Sequence, residues 1–512
     1  MPSTLALVGS VVTCTLGLTS ARYLYLRYTG QDRYSKLPPG PQALPFLGNV
    51  LDLPTKNEWE AYARLRLLYG DIVTFLIFTK PIIFLNSAKT IADLFGKRSA
   101  IYSSRPNLVM AGELMGWEDS LVLSPYGDRW KNYRRLLKMG LNTKALGEYA
   151  RLMENAMPSY LQTIIDSPNA FQYSFRRTAG IVALNLAYGY DGTSDGYALL
   201  SVTEAAMEMF SISALPNIFL VDTLPFLKYV PAWFPFAGFQ RLAARTRKLI
   251  TKMVTEPYER VAENLRTGQG NASFTASLIE MEGDGNAEGI KWVSAALYGG
   301  QADTVGDTTM VTAMANFFLC MMLFPEVQKK AQAEIDSIVG HDRLVCLDDK
   351  SSLPYVNSVL KELLRWCPVT RMVSHMVTQD DIYEGYFIPA GTALVANIWA
   401  VLHDETMYTK PKEFRPERFL PPENAPDSAN FAFGFGRREC PGVELAQIAL
   451  FLTMANVLAA FNIKKPVDSD GKVIEPTLDW SSGVTSHPHP YQCVTEVRHP
   501  NVPVLIRSWQ GH

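Results

Sequence analysis

The sequence predicts a mainly α protein with small β-sheets behind an N-terminal membrane anchor. Three observations predict it: an uncharged opening run of bilayer-spanning length, apolar residues at helical spacing through most of the chain, and one short Ile/Val/Phe-rich stretch near residue 80 with hairpin character. The 512 residues are 47% hydrophobic and 19% charged, the balance of a globular chain with a large core. The 48 basic and 50 acidic side chains nearly cancel, so charge gives no reason to expect a nucleic-acid partner or a highly charged substrate.

The anchor comes first. Pro2 to Ala21 is a run of 20 uncharged residues holding Leu5, Leu7, Val8, Val11, Val12, Leu16 and Leu18, and about 20 such residues cross a bilayer as a helix. Arg22 and Arg27 follow it, with Tyr23 and Tyr25 where interfacial aromatics belong, which places the remaining chain in the cytosol. A cleaved secretory signal is the rival reading, with Thr19-Ser20-Ala21 as its cleavage site, but no basic segment precedes the apolar run. Residues 1–26 are therefore expected to be a retained anchor, and the sequon Asn271-Ala272-Ser273 a chance match in a cytosolic loop.

Leu37-Pro38-Pro39-Gly40-Pro41 cannot continue a helix, and residues 27–45 read as a proline-rich hinge before a globular domain over 46–512. Asp71 to Phe78 and Pro81 to Leu85 read as a hairpin turning at Thr79-Lys80. Polar, Gly-rich residues from Arg266 to Gly289 read as the clearest linker, ahead of a helical pattern from about Lys291 to Phe324 closed by Pro325. A helix of about 30 residues would span about 45 Å, enough to cross a domain. No repeat and no change in composition marks a second domain. Six widely spaced cysteines, at 14, 320, 346, 367, 440 and 493, form no Cys-x-x-Cys pair and suit a reducing compartment.

The chemistry concentrates in Phe433-Gly434-Phe435-Gly436-Arg437-Arg438-Glu439-Cys440-Pro441-Gly442, followed by an apolar pattern from Val443 to Phe461. Gly434 and Gly436 allow a tight turn and close approach of a flat partner, and Gly442 is expected to do the same beyond the cysteine. The thiol is then at the mouth of a helix, where free N–H groups and a cationic neighbour such as Arg438 favour a thiolate. A lone cysteine in an apolar chain is more often inert core; the order of these ten residues argues otherwise.

That order resembles the haem-binding loop of the cytochromes P450 at each defining position: Phe433, Gly434, Gly436, Arg438, Cys440 and Gly442. The resemblance implies the cytochrome P450 fold, a triangular helical haem-thiolate domain, with Cys440 binding the iron of haem b (iron protoporphyrin IX). Hydrogen bonds to the sulfur would tune it as an axial ligand. The family's Glu-x-x-Arg helix and downstream arginine appear as Glu362-Leu363-Leu364-Arg365 and Pro416-Glu417-Arg418-Phe419, implying a structural triad. On spacing alone Glu362 and Arg365 would be an exposed pair worth about 0.2–0.5 kcal/mol. The family's Trp-x-x-x-Arg appears as Trp130-Lys131-Asn132-Tyr133-Arg134; with Arg438, and with His375 in Val373-Ser374-His375, it implies partners for the haem propionates. On composition alone each could be an ordinary surface residue.

The resemblance also implies an acid–alcohol pair for proton delivery in the long central helix. The sequence there, Gly299-Gly300-Gln301-Ala302-Asp303-Thr304-Val305-Gly306-Asp307-Thr308-Thr309, departs from the family pattern in either register. Asp303 and Thr304 are the chosen pair, because Tyr298-Gly299-Gly300 precedes them correctly. Asp307 and Thr308 are the alternative, favoured by the distance to Phe317-Phe318. The two pairs lie four residues apart and share a helix face.

The likeness runs to Ser486-His487-Pro488-His489-Pro490, and Trp399-Ala400-Val401-Leu402-His403-Asp404 looks most like the fungal microsomal branch. It implies a monooxygenase on the endoplasmic reticulum membrane with a cytosolic catalytic domain. NADPH–cytochrome P450 reductase would supply electrons, and the substrate would be a lipophilic terpenoid, polyketide, indole, steroid or polycyclic aromatic. Substrate-lining segments are implied over Pro106–Ser124, Leu297–Thr304, Val369–Val373 and around Val484. Two other readings stay open: a haem-thiolate isomerase, dehydratase or peroxide-driven enzyme, for which Gln301 and Val305 leave room, and a non-catalytic haem binder.

Overall fold

A computed structural model of the chain describes residues 36–508 apart from 46, 79, 169–170, 191–193, 215–217, 303–308 and 484, together with Gly17, Ser20 and Ala21. The expected anchor lies outside the described residues but for those three. The described chain is mainly helical with small sheets and divides into two compact units.

The first unit runs to Pro106 and takes in Ser374–Asn397. Helix α1 (Glu58–Tyr69) packs Trp59 and Tyr62 against a sheet; Tyr62 stacks on Phe84 at 3.7 Å and meets Phe75 edge-on at 5.5 Å. Strands β1 (Ile72–Ile77) and β2 (Lys80–Leu85) pair antiparallel from Ile72↔Leu85 to Ile77↔Lys80. The turn therefore takes in Phe78 and excludes Lys80. Lys80 keeps its place in the ladder, and Phe78 takes the left-handed backbone (φ 54°) that the tight turn demands. Strands β3 (Met372–Met376), β4 (Asp381–Tyr383), β5 (Tyr386–Ile388) and β6 (Ala393–Asn397) follow, the four-stranded sheet having the order β1-β2-β6-β3. The last residues of the expected hinge lie on this sheet: the Thr74 N–H donates to the Pro39 carbonyl at 2.9 Å, and a Cβ at Gly40 would stand 1.9 Å from the Thr74 carbonyl oxygen. No side chain fits between those two backbones.

The second unit, Asn107–Val373 with Ile398 onward, is a helical body. Its principal helices are α2 (Asp128–Gly140), α3 (Thr143–Asp166), α4 (Phe171–Tyr188), α5 (Ser194–Ser213), α6 (Gly238–Arg266), α7 (Phe274–Glu282), α8 (Ala287–Ala302), α9 (Thr309–Leu323), α10 (Pro325–Ile338), α11 (Pro354–Trp366) and α12 (Val443–Ala460). Strands β7 (Phe461–Lys464) and β8 (Val494–Val497) form a hairpin-like pair after α12.

Two expectations need correction here. The presumed linker 266–289 contains α7: the Ser273 hydroxyl accepts the Ala276 N–H at 3.2 Å as an N-cap, and Phe274, Ala276 and Leu278 are buried. Short apolar spacing hidden among polar neighbours gave too weak a period to see. The central helical pattern is described as α8 and α9 on either side of 303–308, and it begins at Ala287 rather than Lys291. Pro325 does end it, but as the first residue of α10, which departs at 104°.

Helix α12 is apolar around its whole circumference and is buried from Leu445 to Ala460 except for Ala446, Gln447 and Ala459. A helix with no polar face must have protein on all sides or lie in lipid. By length and composition it could cross a bilayer, but 72% of it is inside the protein, so it is the core helix. It starts three residues after Cys440.

Candidate functional site

The Cys440 loop is closed by its own backbone, since the Cys440 N–H donates to the Phe433 carbonyl at 2.8 Å. Closure needs Gly434 and Gly436 at φ 85° and 57°, a region that costs a residue with a Cβ about 1–2 kcal/mol. Between them Phe435 is extended and buried, and Gly436–Arg438 make a single 3-10 turn. Gly442 departs from expectation: its φ of −99° is open to any residue, and a Cβ there would reach the Cys440 sulfur only at ordinary contact, 3.9 Å. Its contribution is its N–H, which is hydrogen-bonded to the sulfur.

Burial pushes the Cys440 thiol up; the Gly442 N–H and the Arg134 cation oppose that rise, and the Glu439 carboxylate adds to it. The cation acting on the sulfur is thus Arg134, where the sequence pointed to Arg438. Arg438 is turned elsewhere, donating Nη2 to the Ser124 carbonyl at 2.6 Å and Nη1 to the Leu121 carbonyl at 3.3 Å. Arg134 donates Nη1 to the Glu439 carbonyl at 2.8 Å, which brings its guanidinium to the cysteine loop. Trp130, buried on α2, carries both guanidiniums within cation–π range, Arg438 at 4.7 Å and Arg134 at 5.8 Å from its ring centre. Sequence separation of about 300 residues is closed by this aromatic face.

Cys440 is accessible at its surface, yet protein atoms crowd it closely enough that burial dominates its titration. A sulfur that is accessible at its surface while set among protein atoms is open to a ligand. No group of three His, Cys, Asp or Glu able to hold a bare metal ion occurs among the described residues. An accessible, N–H-supported sulfur near two guanidiniums and an aromatic face fits haem, whose iron would take the sulfur and whose carboxylates need cations.

In the first unit His375 is buried, stacks on Phe95 at 4.0 Å, and donates Nδ1–H to the Tyr102 carbonyl at 2.9 Å. Arg105, which the sequence reading missed, donates to the carbonyl of Ser374, next to His375; burial holds its guanidinium down to about 10. A single arginine in a Pro-flanked loop has no periodicity to reveal it. Asp303 and Thr304, and the alternative Asp307 and Thr308, lie outside the described residues. Just before them, a Cβ on Gly300 would meet none of the described residues within 4 Å.

Glu362, Arg365 and Arg418 form a fully buried triad. Arg365 grips the carboxylate with two bonds, Nε to Oε2 at 2.8 Å and Nη2 to Oε1 at 2.9 Å, and Arg418 Nε adds 3.0 Å and 3.2 Å. The remaining donors go to the carbonyls of Leu402, Thr409, Lys410 and Glu413, and the Arg415 N–H donates to Glu362 at 2.7 Å. The triad therefore ties α11 to the segment 402–418 that leads into the cysteine loop.

Comparison with known proteins agrees with this geometry. A family model described as Cytochrome P450 matches residues 38–494. The chain is 41% identical over 505 residues to the cytochrome P450 monooxygenase claR of Ampulloclitocybe clavipes, covering 97% of this chain and 93% of that protein. It is also 41% identical to cytochrome P450 monooxygenase 208 of Postia placenta, covering 95% of each, and 38% identical to the cytochrome P450 monooxygenase ppsD of Aspergillus oryzae, covering 98% and 95%.

Proposed function

The chain belongs to the cytochrome P450 family and is a cytochrome P450 monooxygenase, and from that premise we propose that it inserts one oxygen atom from O2 into a lipophilic small molecule. The substrate is of terpenoid, polyketide, indole, steroid or polycyclic aromatic type, and the setting is fungal secondary metabolism or xenobiotic oxidation. The observation that carries the reading is the enclosed, accessible Cys440 sulfur with the Gly442 N–H and the Arg134 cation directed at it.

Haem bound through that sulfur supplies the binding and reductive activation of dioxygen. The chain's own part is to hold, orient and shield. The Gly442 N–H and the Arg134 cation offset part of the burial that raises the Cys440 thiol, bound iron would hold it deprotonated, and Phe433 and Gly436 fix the loop that presents it. Trp130, Arg134 and Arg438 hold propionate carboxylates. His375 is the further partner, its Nδ1–H being committed to the Tyr102 carbonyl. Arg105 joins it. Asp303 and Thr304 deliver protons, with Asp307 and Thr308 as the alternative pair.

Electrons come from NADPH through NADPH–cytochrome P450 reductase. The protein sits on the endoplasmic reticulum membrane by residues 1–26, with residues 46–512 as the cytosolic haem domain. Further support for a membrane setting is the segment between α5 and α6, where Leu220, Phe226, Tyr229, Trp233 and Phe236 stand exposed, Phe236 at 99%.

The test is a reduced, carbon-monoxide-bound difference spectrum of wild type and Cys440→Ala in reductase-containing membranes. A thiolate-type Soret band that the substitution abolishes is the expected result, followed by hydroxylated products from a substrate panel that depend on NADPH. Haem-loaded wild type without the band would remove Cys440 as the ligand.

A further inference from the structure

In the second unit, α9 is tied to the C-terminal loop by side chains that the proposed chemistry does not use. Thr312 and Asn316 stand one turn apart on one face of α9, both buried. The Thr312 hydroxyl bonds Nδ1 of His487, and the Asn316 Oδ1 accepts the Trp480 indole N–H at 3.0 Å. His487 is held on every side: its Nε2 meets the Thr485 hydroxyl at 3.1 Å, its N–H donates to the Ser481 hydroxyl at 3.0 Å, and its carbonyl accepts the Ser481 N–H at 2.8 Å.

The same loop reaches the segment after α11. The Ser486 N–H donates to the Val369 carbonyl at 2.9 Å, Arg371 lies over the Trp480 ring at 4.7 Å, and the Asn316 amide reaches the Cys367 carbonyl at 3.4 Å. Three separate chain segments thus converge on one imidazole and one indole.

We propose that His487 is a positioning residue for substrate fit: it fixes the Thr485–His487 turn to the central helix and so sets the wall that a ligand meets. The inference rests on the reading that Val369–Val373 and the turn after residue 484 line the substrate space. Imidazole suits the post because it offers two polar atoms on opposite edges of a rigid ring, so one side chain can bridge a helix hydroxyl and a turn hydroxyl. Neutral imidazole has one donor and one acceptor, and a threonine hydroxyl can take either complementary role. Without the bridge the turn would have to be ordered when a ligand binds, and that cost comes out of the affinity.

The test uses haem-loaded full-length protein and two spectral probes: imidazole, which needs only the iron, and clotrimazole, whose aryl rings press on the surrounding walls. The variants are His487→Phe, which keeps a ring without its hydrogen bonds, Thr312→Val, which deletes the partner hydroxyl at near-constant shape, and His487→Gln, which restores a partial bridge. The expected result is a clotrimazole Kd raised about ten-fold in His487→Phe, the scale of one buried hydrogen bond. Thr312→Val should weaken clotrimazole without adding to His487→Phe in the double variant, His487→Gln should recover part of the loss, and imidazole binding should not change. Unchanged clotrimazole binding in Thr312→Val and His487→Phe, with the thiolate band intact, would overturn the inference. So would equal weakening of both probes, which places the effect at the iron. A wild type without the band would instead mean that the haem-thiolate reading itself has failed. Should His487→Phe not fold, Thr312→Val decides.

Discussion

At the scale of single residues, the strongest commitment in the second unit is the Glu362 carboxylate. Two guanidiniums, Arg365 and Arg418, are buried with it, and removing its negative charge takes away the carboxylate they share, leaving Arg418 only the longer 3.9 Å contact to Glu423. Breaking a buried pair from one side costs about 3–5 kcal/mol. Glu362→Gln is therefore expected to lower the urea midpoint steeply and to abolish haem incorporation, while an exposed control such as Glu326→Gln, opposite Lys329 at 3.0 Å, stays within about 0.5 kcal/mol of wild type. Spacing alone could not separate the two cases, because Glu-x-x-Arg on a helix reads equally as an exposed pair. What made Glu362 legible was its order relative to Cys440.

His403 adds a pH dependence. Its ring stacks on Trp399 at 4.2 Å and its pKa is pulled down to about 3, by burial first and then by the Arg365 cation. The unfolded chain takes up a proton near the ordinary 6.5, so between about 6.5 and 3 the unfolded state binds more protons. His403 therefore leaves stability intact above about pH 6.5 and removes it as pH falls, at up to about 1.4 kcal/mol per unit. His403→Gln is expected to flatten the decline of Tm between about pH 6.5 and 4.5, above the range where most carboxylates titrate. An unchanged slope would show that His403 is protonated in the fold.

At the scale of elements, the helix pair α2 and α7 shows what the sequence could and could not reveal. A Cβ on Gly140, the last residue of α2, would lie 2.2 Å from the Phe274 ring at the start of α7. Phe274 is buried, so the ring can yield only by disturbing its packing, and Gly140→Ala is expected to destabilise by about 1–3 kcal/mol in urea titration. Gly140→Ala combined with Phe274→Leu should recover part of that loss. Nothing in the sequence marks either residue: the glycine closes a helix, and the phenylalanine lies in a stretch that reads as linker. Strong periods were legible, such as the apolar run that became α12. Short ones were not, because nine residues among polar neighbours give too few turns for a period to stand out, and the hairpin turn slipped by one residue because its conformation falls on Phe78 and not on the polar pair.

At the scale of the whole molecule, composition cannot say where an apolar helix ends up. The run Pro2–Ala21 and helix α12 both have bilayer-spanning character, and only packing distinguishes α12 as core. The consequence for α12 is that its stability depends on what lies at its N-terminus, because Cys440 is three residues away and anything bound there is bound to the folded chain alone. A ligand that binds only the folded state stabilises it by RT ln(1 + [L]/Kd), about 4 kcal/mol when its concentration is a thousand times Kd. Haem-loaded wild type should therefore melt well above the haem-free chain, and Cys440→Ala, even when supplied with haem, should fall back most of the way toward the haem-free value. The haem-free forms of wild type and Cys440→Ala should differ by only about 1 kcal/mol, the scale of the single Gly442 N–H bond to sulfur that alanine deletes. If Cys440→Ala kept the full haem-dependent rise, the carboxylate partners Arg134 and Arg438 on Trp130 would carry the binding energy and the sulfur would contribute chemistry alone.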